Sequence, residues 1–202
     1  MPKEEKVILF VDDKNFYHGA RRAFFPSDSP HYYGQINPIE LGKLISARSL
    51  PTHTRQLHQV RVYTGAPEAT KDPKTFSAHT KQRIFWKSIG AEVISRTLRY
   101  PEDWPSSKAE QKGVDVALAV DFVAFAIDGE YDVGVIASTD SDLKPALEYV
   151  WSKCHGKCHI EVATWNNPLK RSRLSISGCN VWCHWLERAD FDSIADLTDY
   201  NF

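Results

Sequence analysis

Neither sign of charge is in excess in this chain: 25 Lys and Arg stand against 26 Asp and Glu, a formal net charge of −1. Without a global basic field, long-range attraction of nucleic acid is weak, so any nucleic acid must be gripped by a local basic rim. Long apolar runs are absent too. No stretch approaches the about 20 residues of a membrane-spanning helix, and MPKEEKVILFV is too short and wrongly flanked for a signal peptide. The cytoplasm is the expected location, with no membrane partner. The ten glycines form no Walker loop and no GxGxxG; Gly19 and Gly65 are isolated. Nor is there a positioned Ser/His/Asp set. Cysteine is sparse: Cys154 with Cys158 and Cys179 with Cys183, beside His155, His159 and His184. Zinc favours such donors, but CxxxC is not CxxC, and ordinary reduced thiols are the simpler reading.

At 202 residues and 42% hydrophobic, the chain can bury a proper core. Lys6 to Val11 (KVILFV) reads as a central parallel strand. A helix is expected from about Asn15 to Phe24, then a Pro- and Gly-bearing loop. Asn37-Pro38 predicts an N-cap and first helical position, opening a helix to about Ala47. Gln59–Thr64 alternates as a strand, Lys74–Ser88 reads as a basic amphipathic helix closed near Gly90, and Glu92–Leu98 as a strand. Gly113 to Ile127 predicts a helix apolar on every face, with Asp115 and Asp121 its only charges. Strand Val133–Ser138, helix Leu143–Trp151 and strand His159–Thr164 follow. This alternation predicts an α/β fold: an open, mainly parallel sheet with helices on both faces, in three layers. Residues 1–166 are expected to form the core domain. Residues 167–202 read as a C-terminal extension packed on it, with a basic PLKRSR loop, a short edge strand within Asn180–Leu186 and a polar, acidic end.

The carboxylates then acquire a place. In an open parallel sheet the ligand crevice lies beyond the strand C-termini, where strand order reverses. Asp12 and Asp13 end the first strand, and Asp140 and Asp142 end the fourth; in a 3-2-1-4-5 order these ends meet. Asp115 enters from the first turn of the apolar helix. Carboxylates beside apolar surroundings are costly unless paired or bound to a cation, and hard cations such as Mg²⁺ or Mn²⁺ prefer such oxygens. The set suits metal-assisted phosphodiester hydrolysis. Each member also has an ordinary reading. Asp142 before Leu143 suits a helix N-cap, and Asp115 suits the helix macrodipole. Asn15 can cap the first helix or hold Asp12 and a water. Asp121, about 120° round the helix from Asp115, suits a salt bridge or a ligand-orienting role.

The motifs VDDKN (Val11–Asn15), KGVDVALAVD (Lys112–Asp121) and VIASTDSDLKPAL (Val135–Leu147), followed by HIEVATW, resemble the NYN domains of the PIN-like nuclease superfamily. The resemblance covers most of the first ~165 residues in the order that fold requires. It implies that Asp12, Asp115 and Asp140 are catalytic and hold Mg²⁺ or Mn²⁺, with Asp142 a further metal ligand and Asn15, Asp13, Asp121, Ser138 and Lys112 in support. Two departures stand out: Asp13 replaces a usually small residue, and Thr139 replaces a glycine. The implied activity is metal-dependent ribonuclease, read as an endonucleolytic hydrolase. Single-stranded RNA would be gripped by Lys112, Arg96, Arg99, Lys170, Arg171 or Arg173 and stacked by Tyr32, Tyr33 or Trp104. Homo-oligomerisation stays open. A phosphoacceptor receiver domain, suggested by ILFVDDK, lacks the aspartate it needs after the third strand. A non-hydrolytic RNA-binding or partner-docking module and a metal-dependent enzyme acting on a small molecule remain alternatives.

Overall fold

The computed structural model describes residues 4–48 and 54–202. The first three residues of the N-terminal segment weighed as a signal peptide therefore lie outside the described residues. Six strands form one sheet: β1 (Glu4–Asp12), β2 (Thr54–Ala66), β3 (Glu92–Thr97), β4 (Val133–Ala137), β5 (His159–Trp165) and β6 (Trp182–Leu186). Their order is β3-β2-β1-β4-β5-β6, and every neighbouring pair is parallel. The expected five-strand order holds, and the tail adds a sixth strand beyond β5. The order reverses between β1 and β4, so the crevice opens above these two strands.

Among the described residues, six helices cover the two faces. On one, α1 (Asp13–Phe24), α2 (Pro38–Ala47), α3 (Pro73–Ser88) and α6 (Arg188–Ile194) pack Phe16, Leu41, Ile45, Trp86 and Phe191 against Val7, Leu9, Val11 and Val135. On the other, α4 (Val114–Asp128) and α5 (Lys144–Lys153) pack Leu118, Phe122 and Leu147 against Ile8, Phe10, Ile136 and Val162. Alternate residues of β1 thus serve opposite layers, which is why its apolar run is unbroken. The α/β three-layer expectation is met.

Local signals set the helix starts. Asn37 Oδ1 accepts from the amides of Ile39 (3.0 Å) and Glu40 (3.2 Å), and Pro38 takes the first helical position, where its missing N–H costs nothing. Asp72 caps α3 in the same way, accepting from Thr75 N at 3.1 Å. Helix α6 was not expected. It lies in the acidic tail and starts with a Glu187/Asp190 capping box. Helix α4 is apolar all round but not buried all round: Val114, Leu118 and Phe122 face the sheet, whereas Val116, Val120 and Ile127 are exposed.

Candidate metal centre

Three carboxylates converge at the crevice. One oxygen each of Asp12, Asp115 and Asp140 lies within 4.8 Å of the others. Asp12 arrives on the last residue of β1, Asp115 in the first turn of α4, and Asp140 just after β4. Gly113 opens α4 at φ +75°. Glycine enters that left-handed region without the penalty other residues carry, and the chain thereby turns so that Asp115 faces the strand ends.

Asp12 is 4% exposed and firmly held. Its Oδ2 accepts from Ser138 Oγ at 2.9 Å, and its Oδ1 accepts from Asn15 N at 3.2 Å. The residue capping α1 is therefore Asp12 itself, not Asn15. Asn15 instead bridges to the β4 loop, its Oδ1 accepting from Thr139 N (3.0 Å) and Thr139 Oγ1 (3.1 Å). Threonine in place of glycine at 139 thus adds a hydroxyl that locks this loop to α1. Ser138 Oγ also accepts from Asp140 N at 3.0 Å. The expected cap at Asp142 differs too: Asp140 caps the single 3₁₀ turn Ser141–Leu143 by accepting from Asp142 N at 3.0 Å.

The electrostatics are those of crowded acids. Burial raises the Asp12 carboxyl from its ordinary 3.8 to about 7, against the lowering effect of Ser138 and the Asn15 amide and with further upward push from Asp115 and Asp13. Asp115 is also raised, by burial first and then by Asp140 and Asp142, while Lys14 opposes the shift. Hard oxygen donors that repel one another suit a divalent cation, which offsets their charge. The three residues fit such an ion.

The other expected site residues separate. Asp142 is exposed and stands beside Asp115, outside the three-carboxylate group. Asp13 turns away, accepting from Thr64 Oγ1 at 2.7 Å, and burial raises it to about 6. Asp121 sits deeper along α4, in an ion pair with Arg61 (2.8 Å) and accepting from Tyr63 Oη (2.8 Å). Lys112 pairs with Glu110 at 3.3 Å.

Of the basic set, Lys170 lines a polar cleft of about 540 Å³ with Arg22, Asn15 and Thr139. Arg171 stacks over the Trp185 ring at 4.2 Å, and Arg173 donates to Val181 O at 3.1 Å. Arg96 is exposed on β3, opposite Gly65 of β2, and Arg99 is exposed just past β3, in a bridge to Glu110. Tyr32 and Tyr33 pack edge to face on each other, as do Tyr100 and Trp104. Lys14 and Arg22 were missed, although Lys14 lies inside VDDKN and is the cation that favours Asp115 ionisation. All four cysteines are free thiols, and none joins a group of three metal donors among the described residues.

The family model for the NYN domain matches residues 6–175. The chain belongs to the NYN domain family. NYN domains belong to the PIN-like superfamily, and the acidic ends of β1 and β4 in this NYN domain are the segments VDDKN and STDSD. No curated protein matches. Among solved structures, a Vibrio parahaemolyticus protein of unknown function is similar, with 18% identity over 81% of this chain and 84% of that one, and a TM-score of 0.52. At that identity the likeness concerns the fold alone. No helix among the described residues is long and apolar enough to cross a membrane.

Proposed function

We propose that this NYN domain is a metal-dependent ribonuclease whose Asp12, Asp115 and Asp140 hold Mg²⁺ or Mn²⁺, with Asp142 at the rim. The observation that carries the reading is the approach of three carboxylate oxygens within 4.8 Å at the β1/β4 switch point. When bound, such a cation supplies Lewis acidity, offsetting phosphoryl charge and making water a stronger acid.

The chain's own groups supply position and charge. Ser138 and the Asn15 amide fix the Asp12 carboxylate, and Asn15 holds the loop that carries Asp140. Lys14, close to Asp115, is placed to offset charge on a phosphate at the cluster. Arg22 and Lys170 line the adjoining cleft, where they would pair with flanking phosphates of a single strand. This local basic rim answers the lack of net positive charge.

The test is cleavage of single-stranded RNA with Mg²⁺ or Mn²⁺, using Asp12→Asn and Asp140→Asn as controls. Cleavage by the native protein, lost in both variants and in chelator, is the expected result. Cleavage surviving equally in the variants sinks the assignment. RNA binding without cleavage would favour a non-catalytic module.

A further inference from the structure

A second cavity lies on the other side of α1 from the Lys170 cleft. It encloses about 300 Å³ between α1, α3 and the end of β2, a volume at the lower end of small-ligand sites. Lys14, which opposes the upward shift at Asp115, also lines it, so the cavity opens beside the carboxylates.

Its polar groups keep hydrogen-bonding capacity beyond the bonds they make to one another. Gln82 Nε2 donates to Gln35 Oε1 at 3.3 Å, which leaves one amide NH₂ and one carbonyl of the pair without a partner among the described residues, and Gln111 adds another amide. Thr64 donates to Asp13 at 2.7 Å, so its oxygen accepts from His79 Nε2–H across 3.2 Å. That tautomer leaves His79 Nδ1 as an acceptor, without a partner among the described residues. Burial and Arg83 lower His79 to about 4, so the ring is neutral at physiological pH. The buried Phe16 and Trp86 supply aromatic wall, and the Trp86 indole N–H has no hydrogen-bond partner among the described residues.

Apart from Asp13, which accepts from Thr64, and Lys14, the polar groups here are uncharged donors and acceptors against aromatic surface, beside a site suited to phosphate, and that combination matches one ligand chemistry. We propose that this cavity is a nucleobase pocket, in which Gln82, Gln35, Gln111 and His79 read the edge of a base whose phosphate lies at the carboxylates. The placement of that phosphate rests on the ribonuclease reading; recognition of the base does not. Mixed donors and acceptors on the walls would give the site a base preference, because a wrong base leaves buried polar groups unpaired.

Calorimetry in EDTA, where no metal-dependent hydrolysis occurs, tests this with adenosine, guanosine, cytidine, uridine, ribose and a single-stranded RNA hexamer. At least one nucleoside should bind where ribose does not, and Gln82→Leu and Gln111→Leu should each weaken it by about three- to tenfold. Both variants should keep the native rise in melting temperature with Mn²⁺, which reports folding and the carboxylates separately. The same base preference in the hexamer assigns the pocket to RNA; nucleoside binding without it assigns the pocket to a free nucleoside or nucleotide. Equal affinity for ribose and all four nucleosides, or affinity untouched by both variants, overturns the proposal. A Mn²⁺ response without nucleoside binding overturns the pocket alone, and nucleoside binding without a Mn²⁺ response overturns the metal reading alone.

Discussion

Replacing Asp12 by asparagine should stabilise the metal-free protein. The carboxyl is 4% exposed and its pKa stands at about 7 rather than 3.8. A folded value above the unfolded one means that ionisation opposes folding, so stability is lost as pH rises from about 4 towards 7. At about 1.4 kcal/mol per pKa unit, the ionised side chain costs about 4 kcal/mol at pH 7.5 and about 2 kcal/mol at pH 5. Asparagine removes the charge and keeps the geometry. Its Oδ1 can accept from Asn15 N, and its Nδ2 can donate to Ser138 Oγ, whose second lone pair already serves Asp140 N. For a chain of this size the gain at pH 7.5 corresponds to a melting temperature higher by on the order of 10 °C. Thermal unfolding in EDTA at pH 5, 6.5 and 7.5 measures it, and the gap between variant and native should widen with pH. Millimolar Mn²⁺ should then raise the native protein alone, by about 2.7 kcal/mol at a hundredfold excess over Kd. A variant that melts below the native protein in EDTA at pH 7.5, or a gap independent of pH, would refute a strained acidic cluster.

Further outcomes follow from other parts of the fold. At the opposite end of the sheet, Glu161 takes two bonds from Arg55 (2.7 and 3.1 Å) and one contact from His184 at 2.7 Å. Removing one partner of such a buried pair costs about 3–5 kcal/mol, so Glu161→Leu should lower stability in urea denaturation at pH 7 by that order. Burial opposes ionisation of Glu161, but His184 and Arg55 carry its carboxyl below the ordinary 4.5. Its contribution is therefore full at neutral pH and disappears as pH falls through that lowered value; a native-to-variant gap unchanged down to pH 3 contradicts this. Lys170→Ala and Arg22→Ala should each reduce the salt dependence of single-stranded RNA binding by about 0.7 in slope, whereas Arg171→Ala should leave the slope alone and cost under about 1 kcal/mol of stability. An equal slope change in Arg171→Ala contradicts the placement of the cleft. Asp121→Asn, which breaks the Arg61 pair, should retain the whole Mn²⁺-induced rise in melting temperature. Loss of that rise would put Asp121 at the metal.

Much of this arrangement is legible in the sequence because the strongest signals are local. A short unbroken apolar run rich in β-branched residues, such as KVILFV, suits a strand buried on both faces, and Asn37-Pro38 marks a helix start by local geometry. Given alternating strands and helices, the parallel order places the ends of β1 and β4 together, which is how Asp12 and Asp140 could be paired across 128 residues. What was hidden depends on long-range contact. Helix α6 offers only Phe191 and Ile194 to the core, too few apolar residues for a period to emerge. Of the carboxylates, Asp12 at a strand end has the weakest structural excuse in sequence, yet it caps α1; the chain passes from strand to helix without a loop, so no turn signal announced it. The cavity was invisible because His79 and Gln82 share one face of α3 and meet Thr64 and Gln35 only after β2 and the segment between α1 and α2 are packed. Lys14 was passed over beside two more conspicuous acids, Asp12 and Asp13.

The proposed activity depends on Asp12, Asp115 and Asp140 jointly holding a divalent cation. Anomalous diffraction from a crystal soaked in millimolar Mn²⁺ tests it most directly. One manganese peak should touch oxygens of all three carboxylates and be absent from an Asp140→Asn crystal treated in the same way. A native crystal with no peak at these carboxylates, or with manganese bound only elsewhere, would contradict it.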